Sequence, residues 1–314
     1  MLFPQTAHFM DFENPTERFC GERRSVQGFS VWGDWGFVLY HTGICAVYDL
    51  VSRDPAPLEV FRLASYNDGN PDKRYINHAN DMMFGGTLDG APLMYITAGN
   101  SGEADERGWI AYCAVEAVDI TRDEAGRPHF STRLVQSIYY RNDGIERTAY
   151  QTPGWGWPAS LVDVAGGWYY MFSARYRTTK DFVDKYNQNS YIVTKFALPA
   201  VTAANRVVTL TPADIAGQFE APYDILATQG GTIHDGKLYY TFGFGKVGYP
   251  IGMRVFDLAA EKLTARVDFS FTPFGHIEIE CCAFYHGRLL VNTQQPKNEP
   301  YGHIYSLDPA ALIE

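Results

Sequence analysis

Runs of basic residues are missing from this 314-residue chain. Its 26 Lys and Arg are outnumbered by 36 Asp and Glu, and the formal net charge is −10. The nearest thing to a basic cluster is Glu22-Arg23-Arg24. Nucleic-acid binders carry a basic patch or stripe, so no nucleic acid is expected as a partner, and anionic membrane surfaces are disfavoured on the same ground. No apolar run approaches the ~20 residues of a membrane-spanning helix, so no membrane span is expected. Residues 1–8 lack the basic and long apolar regions of a signal peptide. The expected location is therefore cytoplasmic, with a virion or surface assembly as the alternative. The five cysteines are odd in number and show no CxxC spacing. Cys281 and Cys282 are adjacent, so a strand turns them to opposite faces, and reduced thiols are the expectation.

Recognisable catalytic signatures are also missing. No HExxH, Walker loop or GxSxG occurs. Gly243-Phe-Gly245-Lys-Val-Gly248 matches GxGxxG, but the following YPIGMRVFDL reads as strand, so there is no helix N-terminus to receive a phosphate. Asn67-Asp68-Gly-Asn70-Pro-Asp72 alternates oxygen ligands like part of a calcium loop but lacks the distal Glu. Helical periodicity is nearly absent. The two short candidates are Pro212-Ala-Asp-Ile-Ala-Gly and Thr179-Lys-Asp-Phe-Val-Asp-Lys-Tyr.

What is abundant points to sheet. Aromatic content is 15%, with 21 Tyr and 20 Phe, while 29 Gly and 17 Pro are scattered along the chain. The pattern is one of short apolar or alternating runs punctuated by turn residues. Internal similarity narrows it further. TIHDGKLYYTFGFG (232–245), AFYHGRLLVNTQQ (283–295), SVWGDWGFVLYHTG (30–43, with Gly36 in the turn) and LVDVAGGWYYMFSARY (161–176) are each a strand, a tight turn and a second strand. DMMFGGTLDGAPLMYITAGN (81–100) repeats the unit with a longer hairpin loop. Each hairpin is followed by a third strand: 44–50, 108–118, 190–198, 252–258 and 302–307. Four have a fourth: 58–64, 133–140, 206–211 and 265–271. The last unit is completed by AHFMDFE (7–13). The expected fold is all-β, a single five-bladed β-propeller closed by the N-terminal strand. The blades fall at about 25–65, 75–141, 154–211, 227–271 and 278–314 plus 7–13.

In a propeller the innermost strand of each blade lines a central channel. The five inner-strand starts are Val26-Gln27-Gly28, His78-Ala-Asn80-Asp81, Trp155-Gly-Trp157-Pro158, Thr228-Gln229-Gly230 and Glu278-Ile-Glu280. Each puts a polar or Trp side chain at the same end. The loops between second and third strands add His41, 99–105, Arg175-Tyr176-Arg177, Lys246 and 294–298. Trp beside amides and charges suits a sugar, and a funnel with a few placed polar groups is the default ligand site. Glu278 and Glu280 lie two apart and are expected on one face, where they repel unless a proton, Arg175, Arg177, Lys246 or a divalent cation in the channel lies between them. Strict alternation sends Asp81 to the face opposite His78 and Asn80, so His78 and Asn80 are expected to face the funnel and Asp81 to be a turn or inter-blade hydrogen-bond acceptor.

The HANDMMF segment, set beside the QG and ExE starts of other blades, resembles a group of bacterial and phage propellers that handle cell-surface glycans, of teichoic-acid and receptor-binding type. The outline is also similar to that of five-bladed glycosidases, which resemblance implies an Asp near an early inner-strand start and a catalytic Glu. Here the first blade offers Gln27 instead. The expected function is a carbohydrate-active propeller acting on a glycan or small molecule as a lyase or glycoside hydrolase. A glycan-binding module without catalysis and a protein-interaction scaffold are the alternatives. Expected catalytic residues are His78, Glu280 and Arg175. Expected substrate contacts are Gln27, His41, Asn80, Trp155, Trp157, Gln229, Lys246 and Glu278. No further cofactor is implied.

Overall fold

The computed structural model describes residues 1–66, 79–98, 109–141, 155–174, 191–221, 227–296 and 299–312. Strand β1 (Thr6–Glu13) and a short helix α1 (Thr16–Cys20) precede the blades. Blade one is β2 (Val26–Trp32), β3 (Trp35–Tyr40), β4 (Ile44–Asp49) and β5 (Glu59–Arg62). Blade two is β6 (Ala79–Leu88), β7 (Ala91–Ala98), β8 (Trp109–Arg122) and β9 (Pro128–Arg141). Blade three starts with β10 (Trp155–Asp163), β11 (Trp168–Ala174) and β12 (Tyr191–Ala197). The chain then makes β13 (Val207–Leu210) and β14 (Ile215–Glu220). Blade four is β15 (Thr228–His234), β16 (Lys237–Phe242), β17 (Gly252–Asp257) and β18 (Lys262–Asp268). Blade five is β19 (Ile279–Tyr285), β20 (Arg288–Thr293), β21 (Tyr301–Leu307) and, on its outer edge, β1. The N-terminal strand thus closes the ring of a five-bladed propeller. Among the described residues no helix is long and apolar enough to cross a membrane.

Four expectations about local structure are corrected. The segment 206–211 is not the outer strand of blade three: β13 pairs parallel with β9 as a fifth strand of blade two. Gln136 fastens this crossover by donating to the carbonyls of Ala200 and Asn205. The outer strand of blade three is β14, which begins inside the segment read as a helix candidate and runs beyond it. Only Pro212–Asp214 turns there, held by Thr211 N and Oγ1 donating to Asp214 Oδ2, both at 2.8 Å. Gly36 lies within β3 opposite Val31, and the turn of that hairpin is at Gly33 and Asp34. In blade two the expected long loop is instead a tight turn at Asp89-Gly90, preceded by a bulge between Phe84 and Thr87. Asp89-Gly90, Asp235-Gly236 and His286-Gly287 all have positive φ at both residues, the requirement of a two-residue hairpin whose twist matches its strands. The second helix candidate, 179–186, and the turn at 67–72 lie outside the described residues.

The core lies in the seams between blades. Phe37, Leu39 and Val47 of blade one pack on Met82, Phe84 and Ile96 of blade two. Phe172 of blade three stacks on Tyr240 of blade four at 3.7 Å between ring centroids. Met10 and Phe12 of β1 share a cluster with Phe29 of blade one and Leu290 of blade five. Burial of these apolar faces is what drives the ring together.

One buried carboxyl ties blade one to blade two. Glu116 on β8 is fully buried and accepts hydrogen bonds from Ala64 N (3.0 Å), Ser65 N (2.8 Å) and Ser65 Oγ at the linker turn Ala64–Tyr66. Glu116→Ala leaves the Ser65 donors without their acceptor, and chemical denaturation is expected to show a loss of about 1–3 kcal/mol. An unchanged midpoint would show that the linker finds other partners.

Candidate functional site

The sites of interest sit where each inner strand begins, and each of those strands begins with an irregularity. The register slips between Val26 and Gly28, Ala79 and Asp81, Trp155 and Ala159, Thr228 and Gly231, and Ile279 and Cys281. A bulge leaves its extra residue outside the ladder and re-aims the side chains around it. Gln27, Asn80 and Glu280 are such extra residues, and Gln229 lies within the slip of blade four. Second strands compensate for the broken ladders. Asn292 Oδ1 accepts from Cys281 N at 2.8 Å, Thr241 Oγ1 donates to Gly230 O at 2.7 Å, and Tyr240 Oη donates to Gln229 O at 2.9 Å.

Asp81, expected as a turn or inter-blade hydrogen-bond acceptor, follows a bulge at Asn80 and does accept between blades. Asp81 is completely buried and lies inside the ring. Its Oδ2 accepts from Gly231 N of blade four at 3.0 Å, and its Oδ1 accepts from Cys281 Sγ of blade five at 3.0 Å. Neither blade is a neighbour of blade two, so the carboxyl bridges the channel across its axis. Two glycines make room for it. A Cβ on Gly28 would stand 2.9 Å from Met82 N, and one on Gly230 would stand 2.7 Å from Asp81 Oδ1 and 2.9 Å from Cys281 Sγ. Burial pushes the Asp81 carboxyl up to about 7, against the opposing hydrogen bonds from Cys281, Gly231 and Met82.

Beside this plug, the start of blade five presents two further carboxyls, and blade four sets Gln229 against one of them. Glu280 is 3% exposed and accepts from Gln294 Nε2, which also donates to Val26 O at 2.7 Å. Burial, followed by the charges of Glu278 and Asp81, holds Glu280 well above the usual carboxylate range. Glu278 is half-buried and accepts from Gln229 Nε2 at 2.8 Å. Burial raises it too, but that hydrogen bond and the Lys246 charge pull the other way. The repulsion expected between Glu278 and Glu280 raises the Glu280 carboxyl further and is opposed by two amide donors and by the Lys246 charge. An open groove of about 470 Å³ lies beside Lys246, lined also by Pro250, Ser270, Thr272 and His276.

The other expected site residues divide into two groups. Gln27 is buried and its Nε2 donates to Val26 O at 2.7 Å. His41 is half-buried in the β3–β4 loop, and burial, then the Arg24 charge, holds its ring below the usual histidine range. His78 and Arg175 lie outside the described residues, as do Arg177, 99–105 and 297–298; the side chains of Asn80, Trp155 and Trp157 are likewise outside the description. Missed from the sequence were Cys281 and the glycines that admit Asp81. The recurring Gln-Gly pair at 27–28 and 229–230 was the available signal. Among the described residues, the side chains placed to hold a metal are His8, Asp11 and His303, away from the channel.

The raised Asp81 fixes a sign for stability against pH. Between about pH 4 and pH 7 the folded chain keeps a proton that the unfolded chain has released. Stability therefore falls as pH rises through that window, by about 1.4 kcal/mol per pH unit for one group. Denaturation midpoints measured from pH 4 to pH 8 are expected to fall less steeply in Asp81→Asn. An identical slope in the variant would remove Asp81 as the source.

No protein-family model and no curated protein matches the chain. Solved structures do. The glutaminyl cyclase of Myxococcus xanthus is 10% identical at a TM-score of 0.50, covering 98% of this chain and 97% of that one. An exo-β-1,3-galactanase from Phanerochaete chrysosporium is 10% identical at a TM-score of 0.52, covering 99% of this chain and 66% of that one. The tail fibre of Staphylococcus aureus phage P68 is 10% identical at a TM-score of 0.47, covering 97% of this chain and 53% of that one. At such identities the likeness is one of fold.

Proposed function

We propose that this chain is a carbohydrate-active enzyme that binds a glycan at the mouth of its central channel and hydrolyses a glycosidic bond there. One observation carries the reading: two neighbouring carboxyls are held in unlike environments at the same mouth. Glu280 is nearly buried at the mouth, and burial holds its carboxyl well above the usual carboxylate range. Glu278, half-buried beside Lys246 and Gln229, is the easier of the two to ionise. Environments that separate the behaviour of paired carboxyls assign an acid and a base. Glu280 then protonates the departing glycosidic oxygen, and Glu278 either activates water or attacks the anomeric carbon, as their separation with substrate bound decides. Gln27, His41 and Gln229 would contact sugar hydroxyls, with Asn80, Trp155 and Trp157 from the neighbouring inner strands.

Elimination from a uronic acid is the second chemistry. It rests on the residue types at His78 and Arg175, a base and a cation that neutralises the substrate carboxylate. The described geometry favours the carboxyl pair. A glycan-binding module would use the same mouth without needing a proton on Glu280.

A glycan panel assayed for both binding and cleavage separates these readings. Gln-initiated peptides belong in the panel, because the Myxococcus xanthus glutaminyl cyclase shares the fold. Glu280→Gln and Glu278→Gln are expected to retain binding and to lower kcat by about 10²–10⁴-fold. His78→Ala abolishing an unsaturated product would favour elimination. Binding and turnover untouched in both Glu variants would sink the carboxyl assignment.

A further inference from the structure

The outer edge of blade five carries a cluster with no part in the channel chemistry. Asp11 on β1 lies directly opposite His303 on β21, and His8 lies opposite Tyr305. Residues three apart on a regular strand point to opposite faces. Here the register slips between His8 and Met10, so His8 and Asp11 come to the same side as His303. Asp11 Oδ1 is 2.8 Å from His8 Nε2 and 2.8 Å from His303 Nδ1. One ligand atom from each of the three residues lies within 4.8 Å of the others.

We propose that His8, Asp11 and His303 bind one divalent transition-metal ion of the zinc class, and that this ion fastens the N-terminal strand to the last blade. The proposal is independent of the glycan reading. Two imidazoles and a carboxylate are the donor set such ions take, with a fourth position left to water. The second observation is Glu299, whose Oε2 is 2.9 Å from His303 Nε2. A metal-ligating histidine typically gives its other ring N–H to a carboxylate, which fixes tautomer and orientation. In the tautomer that gives its one proton to Glu299, a neutral His303 turns the Nδ1 lone pair towards Asp11, where a cation fits.

The rings need move little. Tetrahedral ligands at ordinary zinc bond lengths stand ~3.3 Å apart, about half an ångström wider than the two 2.8 Å contacts to Asp11 and inside the 4.8 Å that bounds the three ligand atoms. His8 is 52% exposed and free to open by that amount, whereas His303 is 15% exposed and held. The ligands come from opposite ends of the chain, residues 8 and 11 against 303. Binding therefore acts on ring closure, and a metal that binds only the folded ring stabilises it.

The test uses the full chain, stripped with a chelator and titrated with ZnCl₂ by calorimetry, with Tm measured alongside. The expected result is one site of micromolar Kd or tighter and a Tm that rises with Zn²⁺ and not with Mg²⁺. His8→Ala, at an exposed position that leaves folding intact by circular dichroism, is expected to abolish the Tm response. Glu299→Gln is expected to weaken Kd by about 10–100-fold. Absence of Zn²⁺ binding, or a Kd and Tm response unchanged in both His8→Ala and Asp11→Asn, would overturn the assignment; the cluster would then be a hydrogen-bonded ion group.

Discussion

A carboxyl without solvent, placed where the inner strands converge, is the constraint on which the rest of this structure depends. Asp81 reaches across the ring axis to the Gly231 amide and the Cys281 thiol. Burying such a group is costly unless hydrogen bonds or a proton offset it, and both do so here. Its position demands Gly28 and Gly230, since any larger side chain at either position would run into β6 or into the carboxyl itself. Glu280 and Glu278 lie beside this plug, at the start of blade five.

The bulges link that constraint to the site. Propeller blades are regular ladders, and a regular ladder cannot turn consecutive polar side chains towards one axis. A slip at the start of all five inner strands removes residues from the ladder just where polar groups cluster in the sequence. The backbone groups this frees are caught by Thr241, Tyr240 and Asn292 on second strands. In blades four and five, part of the second strand thus holds the bulged start of the first. On the outer edge, the slip at Phe9 does the same for His8, Asp11 and His303.

The fold was legible because a propeller repeats its pattern. Alternating runs, Gly-ended turns and a polar inner start recur in unit after unit, so errors in one are corrected by the others. The mistakes fell where the pattern is weak. The segment 206–211 has the composition of an outer strand, but composition does not say which sheet edge it joins, and β13 went to blade two. Pro212-Ala-Asp carries a good helix start, yet one capped turn is all that the following Ile-Ala-Gly-Gln-Phe-Glu sustains. Of the candidate site, Glu278, Glu280, Gln229 and Lys246 were singled out as channel groups, and the structure brings these four into one electrostatic group.

The amino-acid sequence by itself determined the class, the number of blades, the closure by the N-terminal strand and the positions at which inner strands begin. These depend on local periodicity and turn chemistry, which are properties of neighbouring residues. Only the tertiary structure decided that Asp81 crosses the axis, that burial raises the Glu280 carboxyl beside a more open Glu278, and that His8 and Asp11 meet His303. Those outcomes depend on strand register and on burial by distant blades. A single bulge inverts the direction of every side chain beyond it, and desolvation is set by groups that lie up to two hundred residues away, as Cys281 does from Asp81.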